Sequence, residues 1–470
     1  MVEVESDIEI DGREFEAIAV YSDMEETAGF TCDNELLNKF FENAIWSEKS
    51  NFVDIPMDCP QRERSGWTGD AGLFAETGIR LMNASGVYEK WLGECRVLQY
   101  EDGKIMNVAP RRQPAPSKMD EMYDGASAWG DAVIIIPYKI YELYGNKKIL
   151  EDNYEMMKKW LEYCIKKAKK TRLRNRFKKN PYKRYMIDTG IQWGEWLEAG
   201  VSVNEAMKTI ILKGIPEMTT PYFAQSARML SEIAEILGKA ADAGKYREIY
   251  EKANASYHYL ELSDGRIHSD RQCRFVRPLY MGLLSEKEAK QAAEDLNQLV
   301  IDNNYHLNTG FLTTPYLCKV LADYGYIETA YRILLQEDTP GWLFAVKNNA
   351  TSVWESWEGY FGDVGFASLN HYSKGAVTGW MINGILGIRY SHKEVVIMPQ
   401  ACELLKYVKG YFDSPKGRIE SGWNYMDDGT VHFRVTLPAN TKGVFVLPDG
   451  KESMLSVGVN EFEWKEKIIK

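Results

Sequence analysis

Residues 58–70 gather Asp58, Glu63 and Asp70 with Arg62, Arg64 and Trp67 in one short stretch. Pro60, Gly66 and Gly69 punctuate it, so it makes a poor regular buried element and a good pocket floor. The chemistry such a set suits is acetal cleavage by water: one carboxyl protonates the departing oxygen, and a second carboxylate activates water or attacks carbon. That second group must come from elsewhere. Glu355 is the best candidate, because Trp354 and Trp357 stand on either side of it. An indole wall raises a carboxyl pKa and stacks on the C–H faces of a pyranose ring. The two segments therefore read as two halves of a sugar-hydrolysing site.

Composition narrows the alternatives. A chain of 470 residues is long for one compact core and short for three domains, so one large domain with a small one is expected. With 57 basic against 68 acidic residues the formal charge is −11, which argues against nucleic acid as a partner and suits a neutral substrate. The 13 tryptophans and 28 tyrosines fit sugar stacking and an aromatic core equally well. The first residues are acidic and lack a secretory pattern, and no apolar run is long enough to span a bilayer. The seven cysteines (Cys32, Cys59, Cys95, Cys164, Cys273, Cys318 and Cys402) are scattered with no CxxC pair, which points to reduced thiols and a cytoplasmic protein. No histidine or cysteine spacing suggests a metal, and no phosphate or dinucleotide loop suggests a cofactor. Residues 166–184 hold eleven basic side chains, among them Lys169, Lys170, Arg172, Arg174, Arg176, Lys178 and Lys179. A solvated helix end and loop is the favoured reading of that run, ahead of a nucleic-acid or acidic-glycan site.

These groups need elements to position them. Residues 8–21 alternate and turn at Asp11 and Gly12, which predicts a short β-hairpin or arm. From residue 33, behind the capping candidates Asp33 and Asn34, apolar residues recur at helical spacing. The pattern returns near 71–83, 86–100, 127–144, 148–169, 220–238, 243–260, 286–300, 315–324, 327–336 and 371–387. Close to a dozen helices with no constant repeat suggest a closed toroid of helix pairs more than a solenoid. The connections 101–126 and 187–218 are too long for turns and are expected to build the pocket rim. After Tyr390, segments 395–399, 404–412, 417–425, 430–437 and 443–447 alternate or are β-branched, predicting a small antiparallel β-sandwich that braces the toroid. The expected division is an N-terminal β-arm over 1–30, a mainly α catalytic domain over 31–390 and a β-sandwich over 391–470.

The run DCPQRERSGWTGDA at 58–71, NNATSVWESWEG at 348–359 and SLNHYSKGAVTGW at 368–380 closely resemble glycoside hydrolase family 78, the inverting α-L-rhamnosidases. The segment 21–51, Trp129–Gly130–Asp131, Gly194–Glu195–Trp196–Leu197 and Thr309–Gly310–Phe311 follow the family's order, so the likeness spans about residues 20–450. The β-sandwich domains that usually precede the family's catalytic domain have no counterpart here. Ser65 stands where a bulkier apolar residue is common. The resemblance implies an (α/α)6 barrel with its site at one mouth, and exo-hydrolysis of terminal α-L-rhamnosyl residues with inversion. Another sugar, a deoxysugar or uronic acid, and a non-catalytic sugar-binding relative are the alternatives. Rhamnose-containing glycosides are the implied partners, with no cofactor and no membrane, and with a homodimer left open.

By the same resemblance Glu63 is the general acid and Glu355 the general base, with Glu358 and Glu195 as rivals for the latter. An inverting pair should lie about 6.5–9.5 Å apart and a retaining pair near 5 Å. Arg62 and Arg64 would lower the pKa of Glu63 where a donor needs it raised, so burial and the charges of Asp58 and Asp70 must outweigh them. Asp58 and Asp70 look like the family's substrate-binding aspartates. Asp70 could equally cap the helix that follows it, and both roles are compatible. Arg62 donates either to a sugar hydroxyl or to one of these aspartates. His371 matches the family histidine that contacts the sugar. Trp67, Trp129 and Trp193 are candidate walls for the C6 methyl of rhamnose, each with plain core as its alternative. Asp131 and Glu195 are candidates for supporting groups behind the site.

Overall fold

Asn34 starts the first helix, α1 (Glu35–Asn51), by accepting the Leu37 N–H on its side chain. Asp33, the other capping candidate, instead accepts the backbone N–H of Lys406. The computed structural model describes residues 5–16, 18–111, 117–172, 180–208, 215–362 and 367–465. After α1 the helices come as hairpins: α2 (Thr68–Leu81) with α3 (Ser85–Leu98), α4 (Ala132–Tyr144) with α5 (Lys147–Ala168), and α6 (Pro216–Ile236) with α7 (Ala240–Glu261). Next are α8 (Cys273–Met281) with α9 (Glu286–Asp302) and α10 (Leu317–Asp323) with α11 (Ile327–Leu334). In the last four of these hairpins the second helix packs back on the first, while α3 packs on α4 and α5.

The hairpins close into a ring. α2 packs on α4, α4 on α6, α6 on α8 and α8 on α10, and the late helical turn Tyr372–Val377 returns to α2. This is the toroid of helix pairs expected from the helical periodicity. Two glycines let α2 fit so closely: a Cβ on Gly69 would stand 2.5 Å from the Trp129 ring, and one on Gly72 would stand 2.9 Å from the Ala132 Cβ. On its other flank Thr77 donates to the Ala376 carbonyl at 2.8 Å. The first turn of α2, which carries Asp70, is thus held between Trp129 and the end of the ring.

The C-terminal sandwich has two sheets. Strands β1 (Ala28–Cys32), β4 (Tyr407–Ser414), β5 (Gly417–Tyr425), β6 (Thr430–Leu437) and β9 (Gly458–Lys465) form an antiparallel sheet in the order β1-β4-β5-β6-β9. Strands β2 (Ile388–Tyr390), β3 (Val395–Ile397), β7 (Gly443–Val446) and β8 (Glu452–Leu455) form the second, in the order β8-β7-β3-β2, with β7 and β3 parallel. Phe445 of β7 stacks on Phe462 of β9 at 4.1 Å and meets Phe433 of β6 at 5.3 Å, joining the sheets. The first sheet braces the ring through Ser421 and Trp423, which donate to the carbonyls of Leu386 and Ile385.

Two local expectations change. Residues 8–21 form no strand among the described residues, only a 3₁₀ turn at Gly12–Glu14. The first strand is β1, whose partner Phe412 lies near the other end of the chain. The single helix expected over 371–387 is a 3₁₀ turn (Tyr372–Val377), a short α segment (Thr378–Trp380) and a π turn (Met381–Ile385). Among the described residues no helix is long and apolar enough to cross a membrane.

Candidate active site

The loop before α2 is closed on itself. Asp58 and Ser65 pair through the Asp58 N–H to the Ser65 carbonyl at 2.9 Å and the Ser65 N–H to Asp58 Oδ1 at 2.9 Å. Within that closure Arg64 turns the chain at φ 51° and its N–H reaches the Cys59 carbonyl. The Cys59 thiol donates to Asp58 Oδ2 at 2.9 Å and accepts the Glu63 N–H at 3.2 Å. A loop this constrained presents Glu63 at its tip. Glu63 Oε2 accepts from the Trp67 indole at 2.8 Å, and Oε1 lies 2.7 Å from Arg62 Nη2.

The same Arg62 nitrogen stands 3.6 Å from Glu355 Oε2. One guanidinium therefore spans both carboxylates, whose nearest oxygens lie within about 6.3 Å of each other, short of the about 6.5–9.5 Å expected of an inverting pair, with Arg62 held between them. Glu355 is buried and fixed by a two-way pairing: its N–H donates to the Ser368 carbonyl at 2.9 Å, and the Ser368 N–H donates to Oε2 at 2.5 Å. The His371 N–H continues this ladder to the Val353 carbonyl at 2.7 Å, which sets His371 beside the turn that carries Glu355. Trp354 and Trp357 frame the turn from within the protein, Trp354 against Phe344 and Tyr360 and Trp357 against Trp342. Among the described residues, the polar partners of Glu355 are Ser368 and Arg62.

Asp70 lies in the first turn of α2 but does not cap it. The capping position is Trp67, which makes no side-chain cap bond. Asp70 Oδ1 instead accepts from Ser373 Oγ at 2.7 Å and lies 3.1 Å from His371 Nε2. Burial opposes the charged imidazole, yet the carboxylates of Asp70, Glu355 and Asp58 outweigh it and raise the His371 pKa to about 9. Asp58 moves up to about 6, chiefly by burial and then by the charge of Asp70. At neutral pH the pocket therefore holds two cations, His371 and Arg62, against four acidic side chains.

Four separate segments supply an aromatic wall. Trp67 meets Trp193 edge-on at 5.7 Å, Trp193 meets Trp129 at 6.3 Å, Trp129 stacks on Phe311 at 5.5 Å, and Phe311 meets His371 at 6.4 Å. Backbone bonds stitch the segments together: Ser127 N–H to the Gln192 side chain at 2.7 Å, and Phe311 N–H to the Trp196 carbonyl at 2.8 Å. The wall thus runs unbroken from the Glu63–Trp67 bond to the His371–Asp70 pair. Trp129 and Trp193 have buried indole N–H groups with no partner among the described residues. Both nitrogens are closed off inside the protein, that of Trp129 beside Gly69, so neither stands open to a ligand.

All nine sequence-predicted site residues, Asp58, Arg62, Glu63, Trp67, Asp70, Trp129, Trp193, Glu355 and His371, lie on this connected set. Phe311 and Tyr123, which stacks on Trp193 at 5.8 Å, were not foreseen as pocket residues. Tyr123 sits in the long connection after α3, and the Thr309–Gly310–Phe311 block was the one available signal for Phe311. The rivals lie elsewhere. Glu358 is exposed, and Glu195 is buried on Arg277 with Thr313 donating to it at 3.0 Å. Asp131 is fully occupied behind the wall by Ala128 N–H, Trp160 and Ser226. Residues 173–179 of the basic run lie outside the described residues. In the described part Lys167 turns inward to the Gly125 carbonyl and the Tyr163 hydroxyl. Burial lowers its pKa to about 8.

The comparisons agree with this geometry. The family model described as the bacterial alpha-L-rhamnosidase 6 hairpin glycosidase domain matches residues 25–385, and the bacterial alpha-L-rhamnosidase C-terminal domain matches residues 384–462. An alpha-L-rhamnosidase of Formosa agariphila is 31% identical over 95% of this chain and 46% of its own length. One of an Alteromonas species is 33% identical over 91% of this chain and 45% of its own length. The chain thus spans about half the length of the curated relatives it matches. Among solved structures, the Streptomyces avermitilis alpha-L-rhamnosidase complexed with L-rhamnose superposes with a TM-score of 0.82 at 28% identity, covering 95% of this chain and 43% of that one. The Aspergillus terreus enzyme superposes with a TM-score of 0.84 at 29% identity, covering 97% of this chain and 52% of that one. With the ring of hairpins, the bracing sandwich and both family models in agreement, the chain belongs to the bacterial α-L-rhamnosidases of the six-hairpin glycosidase class.

Proposed function

We propose that this chain hydrolyses terminal α-L-rhamnosyl residues from glycosides or oligosaccharides, with inversion at the anomeric carbon. The observation that carries the reading is the pair Glu63 and Glu355, drawn from distant segments onto one arginine at the end of a continuous aromatic wall. Asp70 has one oxygen fixed by Ser373 and His371, which leaves Oδ2 to accept from sugar hydroxyls. Asp58, tied down by Ser65 and Cys59, offers its remaining lone pairs to the same ring. The aromatic wall of Trp67, Trp193, Trp129 and Phe311 receives the C6 methyl.

In the reaction Glu63 delivers its proton to the departing oxygen as positive charge builds on the anomeric carbon, and Glu355 takes a proton from the water attacking the opposite face. Arg62 is the gate between these groups, since sugar entering between the carboxylates displaces it from Glu63. The seven cysteines are all buried and free, which fits a reducing compartment, and we assign the enzyme to the cytoplasm. A panel of p-nitrophenyl glycosides tests the sugar assignment. Release from the α-L-rhamnoside at a kcat/KM at least about a hundredfold above the α-L-fucoside, β-D-glucoside and β-D-glucuronide is expected. Equal or better turnover of any of these would reassign the pocket.

A further inference from the structure

The turn Tyr372–Val377 serves two faces of the protein. Ser373 and the preceding His371 address Asp70, whereas Lys374 is turned into the interior. Lys374 is only 4% exposed, and its Nζ has no hydrogen-bond partner among the described residues. It lies 3.8 Å over the ring of Trp357, and the charges that act on it are Glu355 and Glu358. The residues lining the interior beside it, Phe40 and Asn43 of α1 with Trp342 and Val346 of the helix Trp342–Lys347, carry no charge. The cavity they share, of about 20 Å³, is too small for a ligand.

An ammonium seated this deep in the protein is an expensive group to retain, and packing alone would be met by Met or Leu. What its charge does is fixed by what surrounds it. We propose that Lys374 is a positioning residue for the base: seated on Trp357, it anchors the turn at 353–359 and supplies the positive charge that keeps Glu355 a carboxylate ready to accept a proton from water. Glu355 then has three cations around it, Arg62 from the loop before α2 and His371 and Lys374 from one helical turn. Arg62 is the one that substrate displaces, so Lys374 maintains the field when the site is filled. Burial lowers the pKa of Lys374 to about 7 against the pull of Glu355 and Glu358, so the charge is in place across the acid range where the base must ionise.

The proposal rests on Glu355 being the base. The test is kcat/KM against pH for the whole chain on p-nitrophenyl α-L-rhamnoside, comparing wild type, Lys374→Met and Lys374→Gln. Both variants are expected to move the acidic limb upward by about half a pH unit or more, because the base then binds its proton more tightly. Lys374→Arg keeps the charge and should leave the limb in place. A uniform loss of rate with an unmoved limb in whichever neutral variant folds would make Lys374 a packing residue and overturn the proposal. Glu355→Gln, measured in parallel, separates the two claims. If it retains activity, the base assignment fails; if it is inactive while the limb of the neutral variants stays put, the lysine's role alone fails.

Discussion

Replacing His371 with Asn takes an imidazolium from among Asp70, Glu355 and Asp58 while filling most of its space. The carboxylates outweigh burial and lift the pKa of this ring from 6.5 to about 9. A shift of about 2.5 units, at about 1.4 kcal/mol per unit, corresponds to roughly 3 kcal/mol of stabilisation. Because the folded pKa lies above the unfolded one, that stabilisation is fully present below about pH 6.5 and is lost as pH rises through about 9. Urea unfolding of wild type and His371→Asn at pH values from about 6 to 10 reads it, and taking the difference cancels the titrating groups that do not sense the ring. The wild-type advantage should be larger by roughly 3 kcal/mol at the acidic end and shrink through pH 7 to 9. A difference that stays constant across that range would mean that His371 is held by packing and hydrogen bonding rather than by the carboxylates.

Three further outcomes follow from the same geometry. Glu63→Gln should lower kcat/KM on alkyl rhamnosides by about 10²- to 10⁴-fold and much less on p-nitrophenyl rhamnoside, whose leaving group departs without a proton; equal losses on both would remove Glu63 from the donor role. Trp193→Ala removes the middle of the aromatic wall and should raise KM about fivefold, the worth of about 1 kcal/mol of lost aromatic contact; an unchanged KM would mean that this ring meets no sugar. Cys59→Ala removes the thiol that holds both Asp58 and the Glu63 N–H, and kcat/KM should fall about tenfold, with Cys59→Ser recovering most of it. Wild-type activity in the alanine variant would show that the Asp58–Ser65 closure suffices.

The 58–70 cluster and Glu355 between its tryptophans were legible from residue type and spacing, whereas the roles of Glu63, Asp58, Asp70 and His371 came with the family resemblance, because burial, which sets their charge, leaves no mark in the sequence. Phe311 and Tyr123 were not legible, since an aromatic on a pocket wall has the same composition and spacing as one in the core. The hairpins of the ring followed from periodicity, but α8 escaped because Arg274, Arg277 and Pro278 mask its apolar face. The late segment 371–387 reads as one helix, yet Gly375, Gly379 and Gly384 allow close contacts with Ala44, Thr77 and Trp380 and break it into three kinds of turn. β1 was hidden for another reason: its partner in β4 lies almost a whole chain away, and local patterning carries no record of such a pairing. Residues 8–21 show the converse, an alternating pattern that finds no strand partner among the described residues.

The central claim is that Glu63 and Glu355 act across a rhamnosyl bond as acid and base. Proton NMR during the first turnovers of p-nitrophenyl α-L-rhamnoside tests it most directly, because the anomeric signal of the newly formed sugar is read before mutarotation mixes the two forms. The account predicts that β-L-rhamnose appears first. Initial α-L-rhamnose would mean a covalent intermediate and a nucleophile in place of the base, and would contradict it.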